Sequence, residues 1–281
     1  MRVSRPYHGF SPVVDVTYFS GCNMARILFE DVTLDLPVYG SSSRSFKREC
    51  IRMATGGLIR KREEGRREEV RALDGLALTV ENGARLGLIG HNGSGKSSFL
   101  RVVSGIYAPT AGVVRVRGKV TPLLDVMFAM YEDLSGHENI TLRGTLHELS
   151  GKEIEERREE IAEMSGLGDY MHMPIRTYSA GMKVRLAFCI NTAVRSEILV
   201  IDELVGAGDD AFKEVAEKKI DSLISSADIF VIASHDTSWI RRNCNRVLWL
   251  DAGKSLFYGD VEEGIARYRE RASVRRNRAD H

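Results

Sequence analysis

Cysteine is scarce in this chain and scattered. Cys22, Cys50, Cys189 and Cys244 form no Cys-x-x-Cys pair, so neither a zinc site nor a disulfide framework is suggested, and a reducing cytosol suits the usage best. Long apolar runs are also missing: none approaches the roughly 20 residues that span a bilayer. Any membrane role therefore runs through a partner. An excess of one charge is absent too, since 40 Lys and Arg face 39 Asp and Glu, a formal net charge of +1. No global field draws the chain to nucleic acid or to anionic lipid. The first residues lack the apolar h-region of a signal peptide.

What is present is an ordinary globular composition, 43% hydrophobic and 28% charged over 281 residues, enough for one large domain or two small ones. Residues 1–23 carry Pro6, Gly9, Pro12 and Gly21 without helical periodicity and are expected to be a disordered or non-native extension, with Met24 as the natural start. Ile27 to Leu36 alternates as one or two strands, ended by Pro37-Val38-Tyr39-Gly40. From about 41 to 70 the composition turns to Ser, Arg, Lys and Glu. Such alternating charge is read as a solvated insert, the other reading being a basic surface facing lipid headgroups or a charged partner. Leu73 to Val80 resumes a strand. Val113 to Val120 alternates as another, closed off by Pro122, and helical patterning dominates from Glu138 through Met164. A hairpin across Ala252-Gly253 is followed by a short helix, and 271–281 is expected to be a disordered basic tail.

The chemistry centres on Gly90-His91-Asn92-Gly93-Ser94-Gly95-Lys96-Ser97, with Ser98 following. It lies between the apolar run Leu86-Gly87-Leu88-Ile89 and a helical stretch, the setting that a phosphate-binding loop requires. The glycines let successive backbone N–H groups wrap phosphate oxygens at the positive end of the next helix. Lys96 then reaches the β- and γ-phosphates, and the Ser97 hydroxyl ligates Mg²⁺.

Further along, Ile198-Leu199-Val200-Ile201 reads as a strand buried on both faces, ending in Asp202-Glu203. Two carboxylates at the C-terminal end of such a strand stand where an α/β sheet binds ligands. Asp202 would hold the Mg²⁺ water shell and Glu203 would polarise a water for attack on the γ-phosphate. A second apolar strand, Ile229 to Ala233, ends in Ser234-His235-Asp236, which places His235 to sense a γ-phosphate. The Ser/Gly turn Tyr178-Ser179-Ala180-Gly181-Met182 precedes an apolar helix and is by itself a weak signal, because helix caps look the same.

Taken in order, these segments resemble the ATP-binding cassette family over residues 27–268. Tyr178 to Met182 is similar to that family's signature loop in a variant form. His235 falls where the family places its switch histidine, and Asp209, seven residues after Asp202, where it places the D-loop aspartate. The resemblance implies an α/β phosphate-loop NTPase fold: a RecA-like parallel sheet core, an antiparallel β subdomain and a helical signature subdomain at about 136–190. The nucleotide-binding domain would span 24–270. It implies ATP and Mg²⁺ as ligands and a homodimer closed head to tail around ATP, in which Ser179 and Gly181 contact the γ-phosphate held by Lys96 of the partner chain. Tyr39 is the choice for stacking on adenine, with Phe46 in reserve.

Tyr-Ser-x-Gly-Met, His91-Asn92 in the phosphate loop and Leu134-Ser135-Gly136-His137-Glu138-Asn139-Ile140 together look like the ATPase subunits of bacterial polysaccharide exporters, of O-antigen, capsule or teichoic acid. That resemblance implies an ATPase at the cytoplasmic face of the inner membrane, integral membrane permease subunits as partners, and no nucleic acid. The alternatives are a cassette serving another exported substrate and a non-transport cassette. Some members add a C-terminal carbohydrate-binding domain, for which this chain is too short. The chain departs from the family between Leu123 and Tyr131, which holds no glutamine. Most cassettes use one there to sense Mg²⁺, and Asp125 is the nearest polar candidate.

Overall fold

The computed structural model describes residues 16–19, 24–38, 59–61, 68–124, 127, 130–147, 149–194, 196–203 and 210–279. Tyr39, Phe46, Asp125, Asp209 and nearly all of the charged insert lie outside these residues. The chain divides into two compact units, one of residues 1–120, 200–203 and 228–281, the other of 121–199 and 204–227.

The first unit holds an antiparallel-rich sheet built from β1 (Val16–Phe19), β2 (Arg26–Val38), β3 (Ile59–Lys61), β4 (Glu68–Val80) and β6 (Ala111–Arg117), in the order β1-β6-β2-β4-β3. Its long ribbon is β2 against β4, register Ile27↔Val80 through Val38↔Glu68, with irregularities between Phe29 and Asp35. Ile27 and Phe29 are buried in one alternating phase and Val32 and Leu34 in the other, the phase changing at the irregularity where Asp31 takes φ 50°. Pro37 sits inside β2 and does not end it, because the ladder to β6 stops at Thr33↔Ala111 and that side of the strand asks for no donor. β1 falls within the stretch expected to lack structure; it pairs in parallel with β6, Val16↔Val114 to Phe19↔Arg117.

The same unit carries the parallel core. Here β10 (Arg246–Asp251), β5 (Arg85–Ile89), β9 (Ile229–Ala233) and β8 (Ile198–Asp202) follow one another in that order, with β11 (Lys254–Asp260) antiparallel on β10. β5 runs parallel to both β10 and β9. Every residue of β9 is buried, as are the last four of β5, which is how a sheet covered on both faces reads in sequence. Parallel strands deliver their C-terminal ends to one edge, and the site is built there. The phosphate loop leaves β5 and enters α1 (Lys96–Val103).

In the second unit β7 (Val120–Leu123) starts directly after the Gly118-Lys119 turn, so the single strand expected over 113–120 is two strands. Pro122 lies within β7 and does not terminate it. The helical stretch resolves into α2 (Gly136–Leu146) and α3 (Gly151–Ser165), each opened by a full capping box, Ser135 with Glu138 and Ser150 with Glu153. α4 (Ala180–Thr192) and α5 (Asp210–Ser226) complete this unit. Ile154, Ile161, Met171, Leu186 and Phe188 are its buried centre, with Phe188 and Phe212 edge to face at 5.7 Å.

In the first unit α6 (Thr237–Asn243) follows β9, and α7 (Val261–Ala279) follows β11. α7 is neither short nor ended at 271: the basic tail expected to be disordered continues as helix to Ala279. Its composition of Arg, Ala, Glu and Val without proline, and with Gly264 near its start alone, favours that. Gly264 is where the helix crosses β10, since a Cβ there would lie 2.1 Å from Val247.

Candidate functional site

At the C-terminal edge of the parallel strands lies a cleft of about 500 Å³. Asn92, Gly93, Gly95, Lys96, Ser97 and Ser98 line it together with Asp202, Glu203, Ser234 and His235. Leu36, Val70, Arg71 and Ala72 also line it. All of these residues belong to the first unit.

The loop is shaped by what it cannot accommodate. A Cβ on Gly90 would lie 2.3 Å from the Leu250 carbonyl oxygen, and one on Gly95 2.6 Å from that of Ala72. Gly95 caps α1 in the left-handed region, φ 109°, and no side chain accepts from the helix's first N–H groups. Those donors and the helix dipole suit an anion. Lys96, 8% exposed, donates from Nζ to the carbonyls of Gly90 at 2.7 Å and His91 at 3.0 Å. Burial pulls its pKa down, and the charges of Asp202 and Glu203 push back up. The Ser94 hydroxyl is buried with no hydrogen-bond partner among the described residues. A buried ammonium, uncapped amides and a glycine-walled cradle make up a donor set that suits phosphate.

The acidic wall is held from the neighbouring strand. Asp202 ends β8, and the N–H of Glu203 donates to the carbonyl of Ala233 at 2.9 Å, tying it to the end of β9. Glu203 itself adopts φ 59°, the left-handed region that a non-glycine residue rarely enters. Beyond Ala233, Asp236 caps α6 by accepting from the N–H groups of Ser238 and Trp239, at 2.8 and 3.0 Å. This fixes the short stretch that carries His235.

Two of the loop residues named from the sequence face away from the cleft lining: His91 and Ser94. His91 instead meets Asp251 at the end of β10, Nε2 to Oδ1 at 2.8 Å. Ser179 and Gly181 lie in the second unit, where the Ser179 hydroxyl caps α4 by accepting from the N–H of Met182 at 3.2 Å. With Gly166, Tyr170, Met182 and Arg185 they border a separate open depression. Tyr39 and Asp209 are outside the described residues. In the stretch without glutamine, Tyr131 is pinned by Asn139, fully buried, which accepts from the Tyr131 N–H at 2.9 Å and donates to its carbonyl at 3.1 Å.

Sequence reasoning missed Arg71. Its Nε and Nη2 donate to the two oxygens of Asp35 at 2.8 and 2.9 Å and its Nη1 to Asp74 at 2.9 Å. Lys254 reaches the other Asp74 oxygen at 3.4 Å. Burial raises the Asp74 pKa, but the hydrogen bonds from Arg71 and Lys254 outweigh it and hold the carboxyl below its ordinary value. The residue stood just beyond the charged insert, where strand alternation was unreadable.

Among the described residues no helix is long and apolar enough to cross a membrane, and no cluster of His, Cys, Asp and Glu stands ready to hold a metal without help from a ligand.

Comparison with known proteins agrees with this layout. Residues 73–206 match the family model described as ABC transporter. The chain is 42% identical over 233 residues to the O-antigen export system ATP-binding protein RfbE of Yersinia enterocolitica, covering 82% of this chain and 96% of that one. It is 36% identical to the O-antigen export protein RfbB of Myxococcus xanthus, spanning 52% of its length, and 36% identical to the teichoic acids export ATP-binding protein TagH of Lactiplantibacillus plantarum, spanning 54%. A solved dimeric post-hydrolysis ATP-binding cassette, bound to ADP and phosphate, superposes with a TM-score of 0.60 at 19% identity, over 84% of this chain and 98% of that one.

Proposed function

Because this chain belongs to the ABC transporter family, we propose that it is the ATP-hydrolysing subunit of an exporter that moves a lipid-linked polysaccharide across the cytoplasmic membrane. The observation that carries the reading is the single cleft in which the buried Lys96, the uncapped start of α1, two strand-end carboxylates and His235 converge. The export of O-antigen or teichoic acid named for the relatives supports the class of cargo.

In this reading the amides of residues 93–98 and the Lys96 ammonium bind the nucleotide's phosphates, and Leu36 and Val70 supply apolar contact to its remainder. Ser97 and Asp202 would hold Mg²⁺, which supplies neutralisation of phosphate charge when bound. Glu203 orients a water and accepts its proton, and His235 donates to the γ-phosphate. Tyr39 stacks on adenine and Asp209 lines the facing subunit. A second copy contributes Ser179 and Gly181 across the nucleotide, so ATP favours the closed pair by touching both copies only in that state. Permease subunits at the cytoplasmic face of the inner membrane complete the exporter.

Glu203→Gln tests the chemistry: ATP binding persists, multiple turnover is lost, and a closed dimer accumulates in ATP and Mg²⁺. A variant that stays monomeric refutes the sandwich. Affinity purification of the tagged chain from detergent-solubilised native membranes tests the rest. A polytopic partner encoded beside glycosyltransferases supports export of a glycan; recovery with ribosomes, DNA or soluble enzymes alone overturns it.

A further inference from the structure

The hairpin between β10 and β11 stands directly behind the phosphate loop. β10 and β5 are parallel, and their register ends at Trp249↔Ile89. Carried forward, it sets Leu250 beside Gly90 and Asp251 beside His91. The contacts agree. The Gly253 N–H donates to the Ser94 carbonyl at 3.0 Å, and the Gly253 carbonyl accepts from the Asp74 N–H at 2.9 Å. His91 Nε2 meets Asp251 Oδ1 at 2.8 Å, while its Nδ1 faces the Asn92 carbonyl oxygen at 2.6 Å. The second Asp251 oxygen accepts from Arg271 of α7 at 3.3 Å, and that guanidinium lies over the Trp249 ring at 5.5 Å.

A carbonyl oxygen and a carboxylate oxygen can only accept. The His91 ring is thereby held between two acceptors, with Nε2 directed at the Asp251 carboxylate. Asp251, 14% exposed at its side chain, fixes the ring from behind, while Lys96 donates to the backbone carbonyl of His91. The loop is thus tied at His91 twice, by Asp251 at the ring and by Lys96 at the carbonyl.

We propose that Asp251 is a positioning residue for nucleotide binding: through His91 it keeps the phosphate loop in its open cradle before the nucleotide arrives. The inference rests on the nucleotide reading of that loop. A loop already ordered loses less freedom on binding. Asp251 touches no substrate, so its effect falls on affinity and not on the chemical step.

The test is a double-mutant cycle on the full chain, with Kd for MgATP read by calorimetry and KM and kcat by phosphate release. Asp251→Asn and His91→Gln each weaken binding about 5- to 10-fold, less than the full worth of one charge-assisted hydrogen bond because the contact orders the loop and does not touch the nucleotide. The pair together is no weaker than the poorer single variant, and kcat stays within twofold for Asp251→Asn. Lys254→Ala, in the same hairpin, binds like the wild type. In a nitrogen-15 spectrum the His91 Nε2 resonance moves in Asp251→Asn, because its partner there is lost. Additive losses, an unchanged affinity in Asp251→Asn, or a His91 ring spectrum that Asp251→Asn leaves unmoved each overturn the proposal. If the wild type itself binds no MgATP, the nucleotide reading fails instead, and the two failures are told apart by that single titration.

Discussion

Replacing Lys96 with methionine separates the site from the scaffold. The stem is kept, so the packing of a side chain that is 8% exposed is largely retained, and only the ammonium is lost. In the nucleotide complex that ammonium would donate to two phosphate oxygens. At about 1.5–3 kcal/mol for each hydrogen bond to a charged group, the loss is about 3–6 kcal/mol, or roughly 10²- to 10⁴-fold in Kd. Without nucleotide the balance differs. The Gly90 and His91 carbonyls lose a donor, yet a cation whose pKa burial has lowered against the pull of Asp202 and Glu203 is also removed. A lysine with a lowered folded-state pKa disfavours folding while both states are charged. Its contribution improves as pH rises through the folded value toward the unfolded one near about 10.4. The variant therefore shows little fall in apo thermal stability near neutral pH, and lacks that alkaline improvement. Calorimetric titration with MgATP and thermal unfolding from pH 7 to 10 measure both. A Kd within threefold of the wild type would refute the assignment of the phosphate loop.

Arg71→Ala leaves two carboxylates, 16% and 18% exposed, without their guanidinium, and should cost about 2–4 kcal/mol of stability in urea denaturation. Because the Asp74 carboxyl is held low in the fold, its contribution is present above the unfolded value near about 3.9 and is lost as pH falls through the folded one. The variant should unfold at higher pH on acidification, and an unchanged acid midpoint would remove this network from the account. Burial pushes the thiols of Cys189 and Cys244 up to about 12, so mass spectrometry after alkylation at pH 8 should find both unmodified until denaturant is added. Labelling of either in the native protein would show that the packing around it opens.

Much of this layout was legible because it follows from short-range rules. Four apolar residues before Asp202 and five before Ser234 mark strands covered on both faces, and parallel strands bring their ends together without any further information. The glycines of the phosphate loop are required by contacts of 2.3 and 2.6 Å that one sees only in the fold, but their spacing announces the loop. What was not legible depends on register between distant strands. Asp251 reaches His91 across 160 positions of sequence and Arg71 reaches Asp35 across 36, and no local pattern records either. Pro37 and Pro122 were read as stops because proline withholds a donor. Pro37 stands beyond the end of the ladder to β6, where no acceptor faces it, and Pro122 lies inside a strand all the same. The tail beyond 271 looked like solvated charge, and the same residues are good helix formers once Val261 to Tyr268 has started the helix.

The backbone of Glu203 has a further consequence. At φ 59° a glycine would sit more easily than a glutamate, by about 1 kcal/mol. The position is then one where heat resistance and turnover pull in opposite directions: a population selected only for surviving high temperature, with no demand on ATP hydrolysis, should drift toward glycine and lose its carboxylate. Directed evolution of this chain for robustness would meet that trap at a single codon, and a parallel screen for phosphate release would be needed to keep clear of it.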